Sequence, residues 1–274
     1  MHRSVRVRAL LRAASRELDN PREAAILLAH HLGQHRHWLI THDDAPVEDP
    51  DAYTTLIARR KAGEPIEYIT GEVSFYGEMF QIAPGALIPR PETELLIDHA
   101  KEIIAAHGYS HIAEIGTGSG IIAVMLARLF PGLHITATDI NPNALDIARK
   151  NAEKFGVRER VRFVHTSFLE GINQKFAMIL SNPPYIAEGF VLEKPLAFEP
   201  QNALFGGKRG DEILREIIDL AAHPDSGTRH LLCEMGYDQK APLAAYMLQK
   251  GIEEVRFYRD YSGFDRGFIA TLKE

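Results

Sequence analysis

The sequence predicts an α/β fold, a seven-stranded and mostly parallel sheet whose last strand is antiparallel, preceded by a small helical domain and a β-hairpin. Three observations predict it. After residue 106, short apolar runs alternate strictly with longer segments of helical periodicity, a pattern typical of parallel sheets. The last two apolar runs are joined by residues 260–267, too short and too rich in glycine for a crossover helix. In the first part of the chain, apolar residues recur at helical spacing.

Composition and charge limit the classes of protein that fit. The chain has 274 residues, of which 45% are hydrophobic and 25% charged, so it can form one large domain and a small one. Its net charge of -6 argues against a broad nucleic-acid-binding surface. One cysteine, Cys233, excludes an internal disulfide, and no apolar run has signal-peptide or membrane-spanning length. We therefore expect a soluble, cytoplasmic protein with no membrane association. We also expect a monomer, although composition does not bear on the oligomeric state.

Helix start and stop signals organise residues 1–75, which we expect to form an N-terminal helical domain. Ser4 is a candidate cap for a first helix. Asn20-Pro21 begins a second helix that ends at Gly33, because proline is favoured in the first turn and glycine just after the last. Asp49-Pro50 begins a third, whose basic end complements the helix dipole.

Residues 76–92 are expected to form the hairpin and linker, and residues 93–274 the larger domain. Two alternating runs flank Tyr76-Gly77, which predicts the hairpin turn. Prolines then punctuate the connection, and a helix is predicted from Thr93. Strands are predicted at 112–115, 135–139, 161–164, 176–181, 231–235, 254–258 and 268–272, with helices at 121–129, 142–155 and 212–222 among the segments between them.

A glycine-rich loop follows the first strand of this alternation. Glycines allow a tight turn and a close approach of the backbone to a ligand at the carboxyl end of a strand, where open α/β sheets bind nucleotides. The spacing is G-x-G-x-G, which differs from the G-x-G-x-x-G of pyridine-nucleotide sites. Asp139 ends the second strand, about 20 residues further on, where a carboxylate can bind both ribose hydroxyls. Together they favour an adenosine-containing cofactor held by Gly116, Thr117, Gly118, Ser119, Gly120 and Asp139.

The tetrad Asn182-Pro183-Pro184-Tyr185, which directly follows the fourth strand, indicates the reaction. Two prolines fix the backbone, and the Asn182 side-chain oxygen and the Pro183 carbonyl can both accept hydrogen bonds from a planar NH2 group. The lone pair of such a nitrogen is delocalised, so orientation and charge stabilisation favour its attack on a methyl group. Tyr185 can pack its ring on the planar substrate. A proline-rich strand end could have no catalytic role, but the glycine loop and acid upstream favour methyl transfer from S-adenosylmethionine.

With these residues in view, the whole chain resembles the bacterial release factor glutamine methyltransferases. Besides the glycine loop and the tetrad, the matching segments are 60–65, 68–71, 87–94, 198–200, 203–204 and 206–207. The resemblance implies a Rossmann-like class I methyltransferase domain that methylates the side-chain amide (N5) of the glutamine in the Gly-Gly-Gln loop of class-1 peptide-chain release factors. It implies S-adenosylhomocysteine as the product, no metal, and an N-terminal domain that contacts the release factor, with no direct contact to nucleic acid.

The resemblance also implies roles for individual residues. Gly116 to Gly120 line the methionine part of the cofactor, and Asp139 holds the ribose. Phe168 occupies the aromatic position of the adenine pocket, but Ser167 stands where the family has an acid. Asn182 meets both cofactor and substrate. Arg90 and Glu92 either contact the substrate at the mouth of the site or form an ion pair that holds the linker.

Two other substrates and one non-enzymatic function remain alternatives. Related enzymes methylate a glutamine of a ribosomal protein, and adenine-N6 nucleic-acid methyltransferases use the same tetrad on an aromatic amine. The second is disfavoured by the charge and by the absence of an evident target-recognition domain. A non-catalytic adaptor would be expected to lose the cofactor and tetrad residues, and both are intact. Histidines near residues 30–37 have helical spacing, but no carboxylate or cysteine completes a metal site.

Overall fold

The computed structural model describes residues 5–273, so the predicted Ser4 cap lies outside the described residues. The chain forms two compact units. The first holds the described chain up to Glu72 together with Glu193–Phe198, and the second holds Val73–Leu192 and Glu199 onward.

The first unit is helical, as predicted. Its helices are α1 (Val7–Leu18), α2 (Pro21–Leu32), α3 (Arg36–Thr41), α4 (Pro50–Lys61) and α5 (Ile66–Thr70). The Asn20 side chain accepts a hydrogen bond from the Glu23 amide at the start of α2, and Gly33 ends that helix with a φ of 61°. The helices pack around buried apolar side chains, among them Leu27, Leu28, Tyr53 and Ile57.

The hairpin that begins the second unit consists of β1 (Glu72–Phe75) and β2 (Glu78–Gln81). Tyr76 and Gly77 both have positive φ, 52° and 76°, as a tight hairpin turn requires. The predicted turn residues are therefore the observed ones. The buried rings of Phe75 and Phe80 pack against each other, with their centroids 6.2 Å apart.

A seven-stranded sheet forms the centre of the second unit. In chain order its elements are α6 (Thr93–His107), β3 (His111–Ile115), α7 (Ile121–Leu129), β4 (His134–Asp139), α8 (Pro142–Lys154), β5 (Val161–His165), β6 (Met178–Ser181), β7 (Ile186–Ala187), β8 (Phe205–Gly207), α9 (Glu212–Ala222), β9 (His230–Glu234), α10 (Lys240–Gln249), β10 (Glu254–Arg259) and β11 (Asp265–Thr271). β7 and β8 pair separately from the main sheet.

The strand order of the main sheet is β10-β11-β9-β6-β3-β4-β5, with β11 antiparallel to both of its neighbours. The predicted fold class is therefore confirmed. Several strand ends differ from the prediction by one or two residues, for example the start of β6 at Met178, and two differences are larger. β11 begins at Asp265, three residues before the predicted start, because pairing with β10 extends towards the hairpin turn. The parallel pair β7–β8 was not predicted, because strands of two and three residues carry no periodicity.

The strand order places the site. The chain proceeds from β3 outward to β4 and β5, then returns to β6 on the opposite side of β3. In such a sheet, ligands bind in the crevice between the carboxyl ends of the two strands at this switch point. Ile115 at the end of β3 pairs with Ser181 at the end of β6. The glycine loop and the tetrad, which follow these two residues, therefore leave the sheet side by side.

Candidate active site

The glycine loop turns sharply at the end of β3. Gly116, Gly118 and Gly120 have φ values of 71°, 54° and 80°, in the left-handed region that favours glycine. The amides of Gly116 and Thr117 both donate to the Thr138 carbonyl at 2.9 Å. At Gly120 a Cβ atom would lie 2.8 Å from the Cβ of Ala148, so this glycine allows α7 to begin against α8. The three glycines thus serve the turn and the helix contact.

Asp139 joins the loop to the end of β4. Its two carboxylate oxygens accept hydrogen bonds from the backbone amides of Gly118 and Asn141, both at 2.8 Å. Burial raises the pKa of Asp139, and these amides oppose the shift. Each oxygen keeps a further lone pair for a ligand hydroxyl. Asn141 caps α8 by accepting from the Asn143 amide, which leaves Asp139 free of that role.

Glu114 supplies a second carboxylate below the loop. Its Oε2 accepts hydrogen bonds from the Thr117 hydroxyl at 2.8 Å and the Ala123 amide at 3.1 Å. Its Oε1 is buried and has no hydrogen-bond partner among residues 5–273. Burial raises the pKa of Glu114 to about 8. A buried acceptor without a partner is costly, so this oxygen favours a ligand that brings a donor to it.

The tetrad is held by side chains from distant parts of the chain. The Asn182 Nδ2 donates to the Thr93 Oγ1 at 3.1 Å, and that hydroxyl donates to the Glu234 Oε2 at 2.8 Å. The Tyr185 hydroxyl donates to the other oxygen of Glu234 at 3.2 Å. Gln239 donates through its Nε2 to the Tyr185 carbonyl at 2.9 Å.

The pair β7–β8 supports the tetrad from the other side. A Cβ atom on Gly206 would overlap the carbonyl oxygens of Pro184 and Gly210. A Cβ on Gly210 would lie 2.5 Å from the Tyr185 carbonyl oxygen. Both glycines are therefore required for the backbone of β8 and its turn to approach the tetrad, a role the sequence pattern did not reveal.

One cavity of about 370 Å³ joins these features, within the size range of small-molecule sites. Among the residues predicted for the site, those that line it are Gly116, Thr117, Gly118, Ser119, Asp139, Phe168, Asn182, Pro183 and Pro184. Lining residues that sequence reasoning did not assign to the site include Gly85, Ala86, Leu87, Pro89, Thr93, Ile140, Asn202, Ala203 and Glu216, and Glu114, just before the glycine loop, lines the cavity as well. The sequence analysis placed two residues of segment 85–93, Arg90 and Glu92, at the mouth of the site as one of two alternatives.

Four predicted residues lie outside this lining. Gly120 contacts α8, and Tyr185 packs its ring against the apolar cluster around α9 and β9. Arg90 donates to Glu199 at 2.5 Å and to the Ile88 carbonyl at 2.9 Å, so it ties the linker down. Glu92 is half-buried before α6, where its charge acts on Glu234. The prediction that the Tyr185 ring contacts the substrate stays a prediction.

The cavity has the groups that an adenosine cofactor with an amino-acid part requires. Asp139 and Glu114 offer carboxylate oxygens at the glycine loop, and Phe168 offers an aromatic ring with Ser167 beside it. Phe168 has a φ of 46°, an unusual backbone for a bulky residue that places it in the lining. In residues 5–273 there is no group of three or more His, Cys, Asp or Glu side chains arranged to hold a metal. Nor does this part of the chain contain a helix suited to crossing a bilayer.

Comparisons with known proteins extend over the whole chain. Residues 6–71 match the PrmC N-terminal domain, and residues 91–196 match the methyltransferase small domain. A release factor glutamine methyltransferase of Chlorobaculum tepidum is 37% identical over 93% of this chain and 91% of its own length. One of Vibrio cholerae is 36% identical over 98% of both chains. The METTL16 catalytic domain, solved with an RNA hairpin, aligns with a TM-score of 0.60 over 83% of each chain; at 17% identity this likeness shows the fold alone.

Proposed function

This chain belongs to the release factor glutamine methyltransferase family and is a methyltransferase, and on that premise we propose its donor and acceptor. The donor is S-adenosylmethionine. The acceptor is the N5 amide nitrogen of the glutamine in the Gly-Gly-Gln loop of class-1 peptide-chain release factors. Methylation at that position modulates translation termination. The observation that carries the proposal is the placement of Asn182-Pro183 beside the glycine loop, at the switch point of the sheet.

In this proposal, residues at the carboxyl ends of β3 and β4 would hold the cofactor. Asp139 accepts hydrogen bonds from the ribose hydroxyls with the lone pairs that the Gly118 and Asn141 amides leave unused. The backbone of residues 116–120 borders the methionine part, and the unpartnered Oε1 of Glu114 accepts from its ammonium group. Phe168 packs against the adenine. When bound, S-adenosylmethionine supplies an electrophilic methyl group on sulfur and leaves as S-adenosylhomocysteine.

The tetrad orients the substrate amide. Asn182 commits its Nδ2 to Thr93, so its Oδ1 remains to accept a hydrogen bond from the glutamine NH2. The Pro183 carbonyl is the second acceptor. Two fixed acceptors direct the nitrogen lone pair at the methyl group and stabilise the positive charge that develops on the nitrogen. The Asn182 Oδ1 and the Pro183 carbonyl would hold the nitrogen in place while it takes the methyl group that the cofactor would supply, and the methylated nitrogen would then lose a proton to solvent.

The N-terminal region, residues 1–75, is the proposed contact for the release factor, with residues 76–92 as the hairpin and linker and 93–274 as the catalytic domain. Hydrogen exchange of the full chain with and without a release factor would test this. We expect protection of amides in α1 to α4 on binding. Protection confined to residues 93–274 would contradict the assignment.

A labelling experiment tests the proposed donor and acceptor. Purified protein is incubated with methyl-labelled S-adenosylmethionine and a class-1 release factor, the same factor with alanine in place of the Gly-Gly-Gln glutamine, a ribosomal protein mixture, or duplex DNA. We expect label only on the unaltered release factor. Label on DNA or on ribosomal protein, or label that survives the alanine change, would contradict the proposal.

A further inference from the structure

A chain of hydrogen bonds leads from Asn182 and Thr93, which line the cavity, to Glu234 and Tyr185, which do not. Its groups are the Asn182 amide, the Thr93 hydroxyl, the Glu234 carboxylate and the Tyr185 hydroxyl, joined at 3.1, 2.8 and 3.2 Å. Thr93 and Glu234 are each 1% exposed. They come from the first residue of α6 and the last residue of β9, 141 residues apart in the chain. The arrangement therefore depends on the fold and is not local to the tetrad.

The charge of Glu234 sets the direction of these hydrogen bonds. An ionised carboxylate only accepts, so the single proton of the Thr93 hydroxyl points at Glu234. The Thr93 oxygen can then only accept from Asn182, and the Asn182 amide must turn its Nδ2 towards Thr93. The Asn182 Oδ1 is thereby left for the substrate.

Protonation of Glu234 would remove this constraint. A protonated carboxyl can donate to Thr93, whose hydroxyl could then donate to Asn182 and stabilise the opposite amide rotamer. That rotamer would present an NH2 group to the NH2 group of the substrate, so neither could accept from the other. Turnover would fall because fewer molecules would hold the productive orientation.

The charged and titratable groups around Glu234 determine the pH at which it is protonated. Burial, the first cause, raises its pKa to about 7 and Glu92 adds to the shift, while hydrogen bonds from Thr93 and Tyr185 and the charge of Arg266 oppose it. Arg266 is itself paired with Asp260 at 2.8 Å. Tyr258 and Cys233 complete the titratable surroundings, and burial raises the pKa of each.

We propose that Glu234, acting through Thr93, is a positioning residue that selects the substrate-accepting rotamer of Asn182. This inference rests on the proposed function, because it assigns a cause to the orientation that amide transfer requires. It predicts that kcat decreases as pH is lowered through about 7, since the carboxylate is the competent form.

Three variants test the inference with methyl transfer to a release factor. Thr93→Val removes the hydroxyl, and we expect kcat to fall about 10- to 100-fold with the KM for S-adenosylmethionine within about threefold. Thr93→Ser keeps the hydroxyl and should restore kcat to within about threefold of wild type. Glu234→Gln is isosteric, but a glutamine can either accept a hydrogen bond from Thr93 or donate one to it. We therefore expect kcat to fall about tenfold and the pH dependence near 7 to disappear.

Thr136→Val is the matched control, because it makes the same change in another buried threonine, in β4 and outside the cavity lining. Thermal unfolding and calorimetric cofactor binding show whether each variant is folded. Wild-type kcat in Thr93→Val, or an unchanged pH profile in Glu234→Gln, would overturn the inference while leaving the proposed function intact. A wild-type protein that transfers no methyl group to any release factor would overturn both.

Discussion

The two ends of the cavity are built in different ways. At the cofactor end, the Asp139 carboxylate accepts from the Gly118 amide, 21 residues earlier, and the Gly116 amide donates to the Thr138 carbonyl, 22 residues later, so both contacts lie within one βαβ unit. At the tetrad end, Asn182 is held by Thr93, 89 residues earlier, and Tyr185 by Glu234, 49 residues later. The first end is secured by main-chain geometry, and the second by side chains brought together by the sheet.

On the proposed function, this difference separates cofactor binding from catalysis. Backbone amides and a carboxylate with both oxygens engaged form a pre-organised site for a ligand that must be held and released. The tetrad must fix the direction of one amide group, and side-chain hydrogen bonds specify direction. Changes at the cofactor end should therefore alter affinity, and changes at the tetrad end should alter turnover.

The largest effect expected is from Asn182→Ala. Loss of one of the two acceptors should lower kcat by about 10²- to 10³-fold, because this interaction strengthens as charge develops on the nitrogen. Cofactor affinity, measured by calorimetry, should change by less than about threefold. Equal losses in affinity and turnover would remove the distinction between the two ends.

A Gly206→Ala substitution tests the tetrad end through the backbone. Its Cβ would overlap the Pro184 and Gly210 carbonyl oxygens, which belong to backbone and cannot turn aside. We expect kcat to fall about 10- to 100-fold, since a shift of about 1 Å in a positioning group can cost that much. Steady-state kinetics at saturating cofactor checks this. A variant with wild-type kcat would show that the tetrad tolerates movement.

At the cofactor end, Asp139→Ala should weaken cofactor binding about 10- to 100-fold, the loss expected for hydrogen bonds to a charged acceptor. At saturating cofactor, kcat should stay within about fivefold of wild type. Titration calorimetry and kinetics at several cofactor concentrations separate the two quantities. A large fall in kcat with unchanged affinity would contradict the role of Asp139.

The smallest effect is expected for Gly120→Ala, which acts on stability. Contact with Ala148 and a φ of 80° should lower the free energy of unfolding by about 1–3 kcal/mol. Gly108→Ala is the control, because Gly108 has a similar φ of 65° but open space around it. Denaturant unfolding should show a larger loss for Gly120→Ala. Equal losses would mean that backbone conformation alone, without the α8 contact, requires glycine at 120.

The same difference explains how much of the site could be predicted from sequence. Gly116 to Gly120 and Asp139 form a local pattern with fixed spacing, so a single βαβ unit is enough to predict that they lie close together. Asn182 could be placed at the same edge because it directly follows a strand. The hydrogen bond from Asn182 to Thr93 could not be predicted, because it depends on where α6 begins relative to β6.

Glu234 was not predicted, but it could have been identified from the sequence, since it is an acid that ends a buried strand at the carboxyl edge of the sheet. The role of Gly206 was harder to predict from the sequence. Its role depends on the short pair β7–β8, whose strands lie on either side of a segment of short 3-10 turns. The fold class followed from alternation alone, because parallel strands and their crossover helices are long enough to show their periods.

The most direct measurement is fragmentation mass spectrometry of the release-factor peptide that contains Gly-Gly-Gln, after incubation with the wild-type chain and S-adenosylmethionine. The account predicts one added methyl group, located on the side-chain amide of that glutamine. A methyl group on any other residue, or an unmodified peptide under conditions where the cofactor binds, would contradict it.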